Sequence, residues 1–308
     1  MKRFQPYLFI ALSLIFLSEA MAQEARLSYN LKPGEKYSLN IDLQQTTRSE
    51  SMEREEISLY SLTNIELSVD SIDQMNQFYF TVRYNDLLLS MLAPGMNIDI
   101  NSGTGKDSML SAMMDALEME AFHIVIDKTG ELRSLDDLDS IFESLSLFPA
   151  SDTNQHRVII KTLEEVYGPD SFKSQFSLFI TVYPVLESMT NWTSDILYYF
   201  NTKPVWILNR YNLSRTTENT VTIQGLGMLN ATKEFKEKTN MGEVKSAVSG
   251  SQTYDFQMNP ESGWIKRCVS RQRILVETTI LKSSYLPAGL KIPSYTETVF
   301  EVKGSRIQ

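Results

Sequence analysis

The stretch PESGWIKRCVSRQRILVETT, residues 260–279, holds the single cysteine of a 308-residue chain, set beside Lys266, Arg267, Arg271 and Arg273. Two readings compete: a nucleophile in a basic site, or a small apolar residue in a strand. At the two-residue period of a strand, Cys268, Ser270, Gln272, Ile274, Val276, Thr278 and Ile280 share one face, while Arg267, Arg271 and Arg273 share the other. A reactive thiolate needs positive charge or a base on its own side. The arginines point away from it, and the two histidines, His123 and His156, are remote in sequence. Cys268 is therefore expected as a buried residue opening an apolar row, and the stretch as a half-buried strand.

The same alternation recurs upstream. Tyr37, Leu39, Ile41 and Leu43 fall at period two, then Ile57, Leu59, Ile65, Leu67 and Val69, then Phe78, Phe80, Val82 and Tyr84. Three long one-sided strands in succession predict an antiparallel meander, because strands covered on both faces do not alternate. Pro33-Gly34 before the first of them is good turn chemistry. From Leu87 to Met96 an apolar run closes on Pro94-Gly95, readable as a strand or an edge loop.

A helical segment at about 107–182 follows. Met109, Leu110, Met113, Met114 and Leu117 recur at spacings of three and four. After a short hairpin reading over AFHIVIDKTGELR, turned at Asp127–Gly130, amphipathic helices are expected near 135–148, 154–167 and 171–180. Strand character then returns in ILYYF, PVWILNRYNL, TVTIQGLGML, SQTYDFQM, the Cys268 stretch and YTETVFEV. No linker or internal repeat divides the chain. The expectation is an α+β fold, a large curved antiparallel sheet with the helical insertion packed on its apolar face, in one composite β-rich domain over residues 23–308.

Residues 1–22 read as a signal peptide: Lys2 and Arg3, an apolar run from Tyr7 to Leu17, and Ala20-Met21-Ala22 at the cleavage position. That run is shorter than the ~20 residues a membrane-spanning helix needs. No cysteine follows the cleavage position to take a lipid anchor, so the mature chain is expected to be soluble, periplasmic or secreted, without a transmembrane segment. One cysteine forbids an internal disulfide. A net charge of −9 argues against nucleic acid as a partner, since phosphate neutralisation needs a basic face.

The remaining motifs carry little chemistry. INSGTGKDS resembles a phosphate-binding loop but has Ile100 where the first glycine belongs and Asp107 where a Ser or Thr should meet magnesium. The acidic pairs Glu55-Glu56 and Asp136-Asp137 suit a strand face or helix start. Asn191, Asn212 and Asn230 open glycan-acceptor triplets. The aromatics Phe172, Phe176, Phe179, Tyr183, Tyr198, Tyr199, Phe200 and Trp206 serve a core or a cavity equally well. Methionine is concentrated: Met91, Met96, Met109, Met113 and Met114 suit core packing by their helical spacing, and also an adaptable apolar groove, the candidate site. Copper would want Cys or His beside them. No catalytic residue, metal or cofactor is expected.

LSYNLKPGEKY at 27–37, F-x-I-x-I-D-x-x-G-E-L at 122–132 and DFQMNPESGW at 255–264 together resemble a family of uncharacterised exported proteins and lipoproteins of Bacteroidetes. The resemblance implies a Gram-negative envelope location, and the predicted layout is similar at fold level to the half-barrels of periplasmic lipoprotein carriers. Two functions are then expected: a non-catalytic binding protein for a lipid or other apolar ligand, or an envelope scaffold for a protein or glycan partner.

Overall fold

The computed structural model describes residues 27–50, 56–101, 109–148, 153–200, 203–231, 234–239 and 242–307. The stretches read from sequence as a signal peptide (1–22) and as most of a phosphate-loop-like segment (102–108) lie outside the described residues. The strands are β1 (Lys36–Ser49), β2 (Glu56–Ile72), β3 (Phe78–Ala93), β4 (Met96–Asn101), β5 (Ala121–Ile126), β6 (Leu132–Asp136), β7 (Asn191–Phe200), β8 (Lys203–Thr216), β9 (Val221–Asn230), β10 (Phe235–Thr239), β11 (Gly242–Met258), β12 (Ile265–Lys282) and β13 (Lys291–Ile307). Four helices fall between β4 and β7: α1 (Met109–Met119), α2 (Leu138–Ser146), α3 (Thr153–Tyr167) and α4 (Pro169–Ile180).

All the strands join one 13-stranded sheet, in the order β6-β5-β3-β2-β1-β13-β12-β11-β9-β8-β7, with β4 also on β3 and β10 also on β11. Every pairing is antiparallel. The Leu87–Met96 run is resolved as a hairpin: β3 and β4 turn at Pro94-Gly95, and Gly95 takes the φ of 74° that a side chain would resist.

The parity reading of the Cys268 stretch holds. Cys268, Ser270, Gln272 and Ile274 are buried in β12, while Arg267, Arg271 and Arg273 face solvent. Burial, followed by the nearby charge of Asp255, pushes the Cys268 thiol far above its ordinary value, so it stays protonated.

The helices lie against the apolar face of the sheet. Phe172 of α4 meets Phe122 edge-on at 5.0 Å, Phe179 meets Phe300 at 5.3 Å, and Tyr84 donates its hydroxyl to the Tyr167 carbonyl. The expected half-barrel does not form. The sheet is an open path whose end strands, β6 and β7, do not pair, and it is neither closed nor strongly curled. Aromatic helix side chains already fill the space on the apolar face that curling would enclose. Beneath α3 and α4, the cavity among Ile41, Thr63, Ile65, Tyr84 and Phe176 measures about 10 Å³, room for one water at most.

A polar row crosses this buried face in register: Asn209, Gly227, Gln252, Gln272, Thr298 and Gln45. Gln252 donates to Asn209 Oδ1 at 3.2 Å and to the Tyr254 hydroxyl, and Gln272 donates to Gln252 Oε1 at 3.0 Å. Gly227 leaves the space in which they cross, since a Cβ there would stand 2.4 Å from Asn209 Oδ1.

Candidate functional site

The two ends of the sheet face one groove of about 380 Å³. Glu131 and residues Leu132–Leu135 of β6 form one wall; Asp195, Ile196, Leu197 and Tyr199 of β7, with Trp206 of β8, form the other. The floor is Lys173, Ser177 and Thr181, spaced by four and so aligned on one side of α4 and its C-terminal cap. The volume lies in the range of small-molecule sites.

Local chemistry holds each wall. On the β6 side, Asp127 Oδ1 accepts hydrogen bonds from the Thr129 amide, the Thr129 hydroxyl and the Glu131 amide, closing the β5–β6 turn. Gly130, at φ 90°, lets the turn press on the end of α4; a Cβ there would sit 1.9 Å from the Ile180 carbonyl oxygen. Thr181 Oγ1 donates to the Gly130 carbonyl and Tyr29 donates its hydroxyl to the Ile180 carbonyl. Arg133 bridges Asp127 at 2.6 Å and Glu131 at 2.9 Å. Burial works against the Asp127 carboxylate, but the hydrogen bonds from Thr129, Arg133 and the backbone outweigh it and hold its pKa below the ordinary value.

On the other wall, the Tyr199 amide donates to Ser174 Oγ of α4 at 2.8 Å, so it points away from β8. Its cross-strand partner, Pro204, has no amide to exchange. β7 pairs with β8 without a register shift, so main-chain direction alternates strictly, and the N–H and C=O groups of Thr193, Asp195 and Leu197 also point off the edge.

The outer face beyond this wall is apolar. Trp206, Leu208, Leu226 and Met228 are 47%, 44%, 55% and 59% exposed, with Leu208 directly opposite Met228 across β8 and β9. Their neighbours on β11 are the small polar residues Ser251 and Thr253. An apolar patch thus runs from Trp206 at the groove over β8 and β9, edged by Asp195 opposite Leu208, Arg210 opposite Leu226 and Asn230 opposite Trp206.

Sequence reasoning placed the site elsewhere. Met113 and Met114 are fully buried in the core, Met109 packs partly buried against it, and Met91 is half-buried in β3. Met96 pairs through its main chain with Ala93, and its side chain is outside the described residues. None of these methionines lines the groove. Of the aromatics, Tyr199 and Trp206 reach it, whereas Phe172, Phe176, Phe179, Tyr183, Tyr198 and Phe200 are core. A signal for Trp206 existed in PVWILN, where both strand parities are apolar.

Elsewhere, His123 Nδ1 and Asp137 Oδ2 meet at 2.6 Å on the surface. Among the described residues no group of three or more His, Cys, Asp or Glu is arranged to hold a metal ion, and no helix is long and apolar enough to cross a membrane.

Residues 75–265 match the family of unknown function DUF6263, and the chain belongs to that family. The match contains the whole groove. No curated protein matches the chain. Among solved structures, a lipovitellin structure described by its lipid–protein interactions is similar over 91% of this chain at 10% identity and a TM-score of 0.48; this chain spans only 26% of that one. Pseudomonas aeruginosa OpdQ is similar over 90% of this chain and 100% of its own, at 8% identity and a TM-score of 0.21. The COG4313 outer membrane channel of Pseudomonas putida F1 is similar over 90% and 97%, at 7% identity and a TM-score of 0.20. At these scores the likenesses bear on neither ligand nor mechanism.

Proposed function

We propose that this DUF6263 protein is a non-catalytic, exported binding protein for an apolar ligand, taken at the groove between β6 and β7 and on the outer face of β7–β9. The observation that carries the reading is the contrast between a core cavity of about 10 Å³ and an outside groove of about 380 Å³ continuous with exposed Trp206, Leu208 and Met228. Patches of contiguous large apolar side chains on a surface mark binding sites. Leu132, Leu135, Ile196 and Leu197 supply apolar walls, and Lys173 on the floor suits a ligand with an anionic head.

The chain provides its own probe. It has three tryptophans, and Trp192 and Trp264 are buried at 6% and 2% exposure. Acrylamide quenching therefore reads Trp206. Titration with palmitate is expected to protect Trp206 from quenching and shift its emission to the blue, and L208S/M228S is expected to abolish both changes. Unaltered quenching at saturating palmitate would count against an acyl ligand at this face.

A further inference from the structure

We propose that β7 is a docking edge for an extended peptide segment of another protein, which adds to the sheet as a strand in the gap before β6. This rests on main-chain geometry and charge, separately from the apolar-ligand reading. β7 terminates the sheet, and an end strand presents unpaired N–H and C=O groups that template another strand. Folded proteins blunt such edges with brevity, bulges, proline or lysine. β6 is blunted in this way: it is five residues long, its pairing with β5 is shifted at Val125/Ile126, and Arg133 stands on it. β7 carries less of this protection. It has ten residues, NWTSDILYYF, with Asp195 its one charged side chain and without proline, lysine or arginine. Its register with β8 is unbroken, and α4 meets it at Tyr199 through Ser174.

Main-chain groups of Thr193, Asp195 and Leu197 face off the edge, following the Tyr199 amide that α4 already uses. A strand laid there would carry its outward side chains beside Thr193, Asp195, Leu197 and Tyr199, with Trp206 behind Leu197, which selects polar residues against the first two and apolar ones against the last two. Its other side chains would face Lys173, a cation without an acidic partner within ion-pair distance among the described residues, which selects a carboxylate there. The occupant is thus an extended segment whose outward side chains pass from polar to apolar, with an acid on its other side.

The test uses the mature protein against a displayed library of random peptides of about ten residues, the length of a typical long strand, with affinities of synthetic winners measured by fluorescence anisotropy. Enrichment of peptides with this pattern and one acid supports the proposal. Leu197→Pro removes an edge amide that β8 does not use, and is expected to weaken winners about tenfold, the scale of one or two lost hydrogen bonds. K173Q is expected to erase the preference for the acid. Should L197P misfold, N-methylation of the peptide replaces it: binding lost at one parity and kept at the other marks strand pairing. Winners without this pattern, indifference to both L197P and N-methylation, or no enrichment at all would overturn the proposal. A dimer in light scattering that L197P disperses would overturn it too, by making a second copy of this chain the occupant. The palmitate titration is run on the wild-type protein without peptide, so its outcome is read independently of these results and the two readings fail separately.

Discussion

The two ends of the sheet solve the same problem differently. At the β6 end the chain spends its polar groups on closure: the Asp127 turn, the Arg133 bridges to Asp127 and Glu131, and the Gly130 contact with the end of α4 fasten a short strand. At the β7 end a long regular strand carries, among the described residues, one edge contact to a side chain, Tyr199 to Ser174, and lies beside an apolar outer face on β8 and β9. The lesson is that stability and availability are divided between the ends. The guarded end fixes the helix floor, and the open end offers hydrogen bonds and greasy surface to something else.

The largest expected effect breaks the guarded end. Gly130→Val forces a side chain onto a backbone at φ 90° and into the Ile180 carbonyl, and should cost about 3 kcal/mol or more of unfolding free energy, read by urea denaturation. Ile196→Pro should come close to this, because its amide points toward β8, whereas Leu197→Pro, one residue on, should cost less than about 1 kcal/mol. That adjacent pair is the sharpest check on the assigned direction of the β7 main chain. Tyr29→Phe removes one of the two donors to the Ile180 carbonyl, leaving the Val182 amide, and should cost about 1 kcal/mol in the same measurement.

A smaller effect comes from Asp127. Its pKa is held below the ordinary carboxylate value, so its contribution is complete at neutral pH and is lost as pH falls through that value, ~4 in the unfolded chain, toward the folded one. Wild type should therefore lose melting temperature on acidification more steeply than D127N. The smallest effect is at the open end: W206S and M228S should leave stability within about 0.5 kcal/mol of wild type, since neither side chain supports the core.

Much of this architecture could be read from periodicity. Cys268 and the arginines of β12 sort by parity because one face of that strand is dry and the other wet. The helices at 109–119, 138–146, 153–167 and 169–180 announce themselves by apolar spacing. What periodicity does not carry is which strand neighbours which, so neither the open ends nor the groove could be seen: Arg133, Lys173 and Trp206 are brought together only by the order of the sheet. The methionine cluster is a related case. Helical spacing reports that Met109, Met113 and Met114 face the same way, and says nothing of whether that way is a groove or a packed interior. The half-barrel expectation rested on the sheet-plus-helices layout alone, which does not distinguish a sheet that curls from one whose apolar face is filled by helix aromatics.

The pairing of β1 with β13, from Lys36 against Ile307 to Ser49 against Ser294, has a kinetic consequence. The seam at the middle of the sheet joins segments from the two extremes of the sequence, so the most central contacts carry the largest loop-closure entropy and a high contact order. A ribosome delivering this chain from its amino end presents β1 long before its partner. Until β13 emerges, β1 and β12 each keep an unpaired edge, and the nascent chain cannot complete its interior. Delayed closure of this kind leaves strand edges and apolar faces uncovered for the length of synthesis and exposes the chain to aggregation in that interval.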